Sequence, residues 1–250
     1  AFINNSSSQK GGAIYLQTGN LDFNVTKTSP TPIIAGNTSG AGGFLYLLSA
    51  SSANFNIAQG QQLQIGDVNY FGTDNNRDSL YISSDSAIKK TGGGEMKINS
   101  SMSSIWGTVS VEEGILSVAQ HWNIRNAVSV TGGTLDSSSF SFVGDNASLT
   151  INGGTLLTDT SHIFETALGS EGRDEDAGKL KEHIDFKKGL ISFNDAKYNL
   201  KYASSAAGIL GVDKTSGREI IFTGNLYDNS GNASSSVSIS DLNSSGLSNM

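Results

Sequence analysis

Ser129–Leu135 runs SVTGGTL, and Ser148–Leu156 runs SLTINGGTL. Each copy carries an apolar–polar alternation into Gly-Gly-Thr-Leu, with little charge between them. Working outward from that phrase, Gly94, Gly114, Gly133 and Gly154 each open an apolar-alternating stretch, at spacings of 20, 19 and 21 residues. A near-constant step of this kind is the signature of a solenoid, in which each turn is one structural unit.

The period inside each unit says which solenoid. Val109 and Val111, Val128 and Val130, and Leu149 and Ile151 alternate with Ser or Thr, which is the period of half-buried strands. Helical spacing is absent here, and paired glycines would weaken a helix. The sequence therefore predicts short strands joined by tight turns, in coils of about 20 residues stacked about 4.8 Å apart. That fold is an all-β parallel β-helix. Glycine suits its corners, where the chain bends sharply and positive φ carries no penalty.

A second phrase lies earlier. Phe2-Ile3-Asn4-Asn5 precedes Gly11-Gly12-Ala13-Ile14-Tyr15, and Ile34-Ala35-Gly36-Asn37 precedes Gly42-Gly43-Phe44-Leu45-Tyr46. A half-copy, Phe222-Thr223-Gly224-Asn225, lacks its Gly-Gly partner. Asn at such a corner can bond its own backbone or form a ladder with its counterparts above and below.

The pattern breaks at 161–188. Twelve of the chain's 39 charged residues fall between Glu165 and Lys188. Asp174 to His183 has acids early and lysines late, a helix-compatible order. The expected organisation is β-helix coils over 1–160, a charged loop or short helix inserted at 161–188, and terminal coils with a polar tail over 189–250.

Composition narrows the function. The 250 residues carry a net charge of −7, 30 glycines, 2 prolines and no cysteine. Lys89/Lys90 and Lys187/Lys188 are local pairs rather than a basic stripe, so neither nucleic acid nor an anionic membrane is expected as a partner. No apolar run reaches the 18 residues of a spanning helix. Stability without disulfides suits a protein exported unfolded. The chain opens in mid-pattern at Ala1, as a piece of a longer protein would.

The Phe-x-x-Asn and Gly-Gly-Ala-Ile/Gly-Gly-Phe-Leu phrases resemble the repeats of the polymorphic outer-membrane proteins of chlamydiae and related surface proteins. Residues Ile88–Ile98, IKKTGGGEMKI, followed by Gly107–Leu116, GTVSVEEGIL, are similar to the autotransporter-associated β-strand repeat, with Met96 where leucine is usual. Together the likenesses cover about residues 1–160, and 189–250 more thinly. The resemblance implies an autotransporter passenger: a right-handed β-helix displayed on the bacterial surface and tethered by an outer-membrane barrel outside this chain. Handedness comes from the resemblance alone. Members of that family are mostly adhesins or aggregation factors, with fewer proteases, esterases and toxins. The implied function is non-enzymatic attachment or self-association contributing to virulence, with no cofactor. The implied partner is a host-cell surface or matrix molecule, or another copy of the chain.

Catalytic signatures are sparse beside that reading. The protease passengers' Gly-Asp-Ser-Gly box is missing, and Arg77-Asp78-Ser79-Leu80 only echoes the Gly-Asp-Ser-Leu block of the esterases. His121, His162 and His183 are widely spaced, with no zinc pattern. His121 beside Trp122 is expected to pack at a corner, and His183 to be solvated. A β-helical carbohydrate lyase or hydrolase would need paired carboxylates, whereas Asp136, Asp145 and Asp159 are spread along the coils. Asp67, Asn69 and Asp78, with Gly72 between, partly match a calcium loop, but Phe71 stands where a ligand is needed. A polar turn explains the same residues. Arg173, Asp174, Glu175 and Asp176 in the insertion are the binding candidates, against a plain solvated excursion. A purely structural stalk is the remaining alternative.

Overall fold

The computed structural model describes residues 1–26, 32–66, 77–100, 105–137 and 140–159, with further strands at 184–194, 198–199, 218–223, 226–227 and 233–234. Every regular element among these residues is a β-strand. Three stacks of parallel strands form as the chain passes repeatedly through the same sequence of faces.

The first stack holds β1 (Phe2–Ile3), β4 (Ile33–Ala35), β7 (Gln62–Ile65), β10 (Glu95–Ile98), β12 (Ile115–Val118) and β15 (Thr134–Ser137). The second holds β3 (Asn20–Val25), β6 (Ser52–Ile57), β9 (Ala87–Thr91), β11 (Thr108–Val111) and β14 (Ala127–Val130). Long β17 (Ser148–Asp159) joins them: its first half pairs with β14 and its second with β15. The third face is built by β2 (Ile14–Leu16), β5 (Leu45–Leu47) and β8 (Leu80–Ile82), and further down by β13 (Trp122–Ile124) and β16 (Phe140–Phe142). This is the topology of a parallel β-solenoid.

Alternation decides which side chains enter. In β6, Ala53, Phe55 and Ile57 are buried, while Ser52, Asn54 and Asn56 face out. The opening phrase superposes on itself: Val128 pairs with Leu149, Val130 with Ile151, and Leu135 with Leu156. Those six apolar residues belong to one continuous core. Burying each such side chain contributes about 1.5–3 kcal/mol.

The step between paired residues is not uniform. It lies between 18 and 21 residues from the β9–β11 pair through the β14–β17 pair. In the first three coils it lies between 31 and 35. The extra length sits at the corner between first and third faces. Residues 4–13 join β1 to β2, whereas only 119–121 join β12 to β13. The first two long corners pair with each other, Ser6 bridging to Thr38 and Lys10 to Ala41 in the coil below.

Beyond β17, β18 (Ile184–Asn194) pairs parallel to it at a step of 35 residues. Ile184–Lys188, expected within the charged insertion, thus belong to a strand. The rest of that stretch, residues 161–183, lies outside the described residues. β20 (Arg218–Thr223) continues the stack on β18.

Candidate functional site

The second stack presents a continuous outer surface. Successive strands place Asp22, Asn54, Lys89, Ser110, Ser129 and Thr150 in register, so their outward side chains form one column along the stack. Beside it runs a column of Asn20, Ser52, Ala87, Thr108, Ala127 and Ser148. The small side chains leave a shallow trough of about 330 Å³, lined among others by Ser52, Asn54, Ala87, Lys89, Thr108 and Ala127.

Hydrogen bonds between coils fix the polar rim. Asn54 donates to Asp22 at 3.1 Å and accepts from the Thr91 hydroxyl at 2.9 Å. Asn56 donates to Asn24 at 3.1 Å, and the Ser52 hydroxyl to Asn20 at 2.7 Å. Lys89 pairs with Glu112 at 2.8 Å. Preorganised amides and hydroxyls on a rigid sheet have the chemistry to hydrogen-bond a polar ligand.

Trp106, 46% exposed, stands at the corner just before Thr108. Arg125 of the next coil lies over its ring, 4.3 Å from the centroid. Asn126 ties this corner to the one above, donating to the carbonyls of Trp106 and Ser84 at 3.0 and 3.3 Å. Trp and Arg dominate binding hot spots because they combine large apolar area with a polar tip.

Two buried polar features hold the scaffold. In the first, Asn5 donates its carboxamide to Asn37 at 2.8 Å, and Asn37 donates in turn to Asp78 at 2.8 Å. Asp78 also accepts from the amides of Gly36 and Asn37, both at 2.8 Å. Both of its oxygens therefore serve the corner of the coil above. Asp67 and Asn69, which would complete a calcium set with Asp78, lie outside the described residues.

The second is Lys90, entirely buried between Phe55 and Val111 in the register of the stack. Its ammonium donates to the carbonyls of Thr91, Gly92 and Glu113 at 2.8, 2.7 and 3.1 Å. Burial pushes its pKa down to about 8, and the Glu113 charge opposes that shift. Sequence reasoning read Lys89 and Lys90 only as a local pair of charges and did not separate their environments. The available signal was alternation, since Ile88 inward obliges Lys90 inward.

The remaining candidates separate. His121 is exposed and meets the Ser141 hydroxyl at 3.2 Å, while its neighbour Trp122 enters the core instead of sharing a corner with it. Asp136 sits on the first face, its carboxyl raised chiefly by burial, with the Ser117 hydroxyl lowering it and Glu95 raising it further. Asp145 is exposed at the turn after β16, and Asp159 ends β17. No group of three potential metal ligands occurs among the described residues. Arg173, Asp174, Glu175, Asp176, His162 and His183 lie outside those residues.

One curated protein is similar in sequence. The chain is 29% identical over 143 residues to Probable autotransporter YfaL of Escherichia coli strain K12. The match covers 50% of this chain and 11% of that protein, so the chain spans a small part of the relative's length. No family model matches the sequence. No solved structure matches it either.

Proposed function

We propose that the chain is a surface-displayed passenger segment of an autotransporter, and that it acts by non-enzymatic attachment to a host-cell or matrix molecule, or to another copy of itself. The autotransporter relative supports the class. The single observation that carries the binding role is the outer surface of the second stack: registered columns of Ser, Thr and Asn around a trough, with Trp106 and Arg125 at the neighbouring corner. Such a surface gains rigidity from every coil and offers repeated polar contacts over a long span. In this reading the solenoid is right-handed, the chain is anchored to the outer membrane by a barrel outside it, and it needs no cofactor.

Fluorescent beads coated with the protein test this on cultured host cells and on each other. Ala127→Glu and Trp106→Ala are expected to release bound or clumped beads while leaving the thermal midpoint within a few degrees. Coated beads that neither bind nor clump above the uncoated background would leave a structural stalk as the better account.

A second reading, a β-helical carbohydrate-cleaving enzyme, has one favouring observation. Asp136 is held toward its protonated form with Glu95 as a nearby carboxylate on the same face. Release of reducing ends from polysaccharide, lost in Asp136→Asn, would establish it.

A further inference from the structure

Asn152 and Gly153 form the single Asn-Gly step in the 250 residues. They stand inside β17, where the chain turns from the second stack to the first. Both are exposed, between buried Ile151 and buried Gly154. Asn152 follows Ile151 as Thr131 follows Val130 and Glu112 follows Val111, so these three are equivalent corner positions in successive coils.

The surroundings of Asn152 differ from those of the other asparagines on this side of the molecule. Asn24, Asn54 and Asn56 hold coil-to-coil hydrogen bonds and precede Val25, Phe55 and Ile57. The Asn126 carboxamide is pinned on Ser84, Trp106 and Ala127. That of Asn152 makes no hydrogen bond among the described residues. The pairing of β17 with β18 shifts register on either side of Asn152, so the ladder does not run unbroken through this corner. Gly153 has a φ of +106°, and with no Cβ its nitrogen is open to approach by the preceding side chain.

We propose that Asn152 is a site of spontaneous, backbone-assisted deamidation, which converts this corner to aspartyl and isoaspartyl forms as the protein ages. The Gly153 nitrogen attacks the Asn152 Cγ, and the new C–N bond closes a succinimide ring. The Gly153 amide proton leaves with the side-chain nitrogen as ammonia. Water then opens the ring. Attack at Cγ restores the original main chain and leaves an aspartate. Attack at the main-chain carbonyl carbon routes the backbone through Cγ, giving an isoaspartate with an added methylene in the chain. The balance is one water consumed and one ammonia released, with no oxidant or cofactor. Either product puts a carboxylate on this corner, two coils below Glu112. The isoaspartate also lengthens a corner that has no slack. A Cβ on Gly153 would lie 2.8 Å from the Thr131 oxygen, and one on Gly154 2.6 Å from that of Gly133. The added methylene therefore bulges outward and loosens both halves of β17. Any effect on attachment rests on the function proposed above, whereas the conversion itself does not.

The test holds the full chain in mildly alkaline buffer and follows its peptides by mass spectrometry, counting isoaspartate by methyltransferase labelling. A sample unfolded in urea supplies the unhindered rate. In the folded chain Asn152 should convert ahead of Asn24, Asn54, Asn56 and Asn126, at a rate within about tenfold of that in urea. Asn152→Gln should remove the signal. Conversion of Asn152 more than about tenfold slower than in urea, or slower than at any of those four, overturns the proposal. Amide exchange then tests the consequence. The isoaspartyl fraction should exchange faster than fresh protein at Ile151 and Leu156, with Val109 and Val111 of β11 unchanged. Asn152→Asp adds the charge alone and should leave all four protected. Equal protection of Ile151 and Leu156 in the isoaspartyl and Asn152→Asp chains overturns the loosening of β17.

Discussion

Asp78 shows how a single side chain can be misjudged outside its coil. By its neighbours in sequence it belongs to a calcium-like string or to an esterase echo, yet its carboxylate takes two backbone amides and one carboxamide at 2.8 Å each. It also holds a positive φ of 52° to reach them. Asp78→Asn keeps the shape but leaves one acceptor where there were two. It is expected to destabilise the protein by about 1–3 kcal/mol in chemical denaturation. Lys90 carries the complementary argument. A lysine whose folded pKa is about 8, against 10.5 when free, contributes its full stability only above the higher value, and this is lost as pH falls through the lower one. Relative to Lys90→Met, the wild-type chain should therefore gain stability from pH 8 towards pH 10, as measured by the difference in denaturation midpoint. A flat difference would mean that the three carbonyl contacts hold the ammonium charged across this range.

At the scale of strands and corners, the glycine-anchored stretch from Gly94 to Leu156 was legible. The Gly-Gly-Thr-Leu phrase marks a corner followed by a strand, because alternation and glycine punctuation are both local properties of the chain. The long first coils were less legible in their step. The corner loops of the first two are held together by bridges such as Ser6 to Thr38, which lie 32 residues apart and leave no local period. The Asn5 and Asn37 phrases did signal equivalent corners, and the two side chains meet there. Gly114 shows what a corner demands: its φ is +65°, and a Cβ would strike the carbonyl oxygens of Gly92 and Gly94 in the coil above. Gly114→Ala should cost about 1–3 kcal/mol, read as a fall in thermal midpoint. Gly60→Ala, with similar φ but open space around it, should cost less.

For the whole molecule, the sequence carried the all-β solenoid class but little of the site. A binding surface made of outward columns depends on which residues share a register across five coil-to-coil steps, and no short motif records that. The Trp106–Arg125 contact likewise joins successive coils. Parallel stacking also makes the structure directly measurable, because the chain has no cysteine to interfere with labelling. Spin labels at Asp22→Cys and Thr150→Cys would lie in one column, five steps apart through Asn54, Lys89, Ser110 and Ser129. At about 4.8 Å per step the backbones are about 24 Å apart, and moving the second label to Ser129 should shorten this to about 19 Å. Pulsed electron paramagnetic resonance on the two pairs should reproduce that decrement of one coil. Equal distances for the two pairs, or a longer distance to Ser129 than to Thr150, would contradict the stacked solenoid and the continuous outer surface built on it.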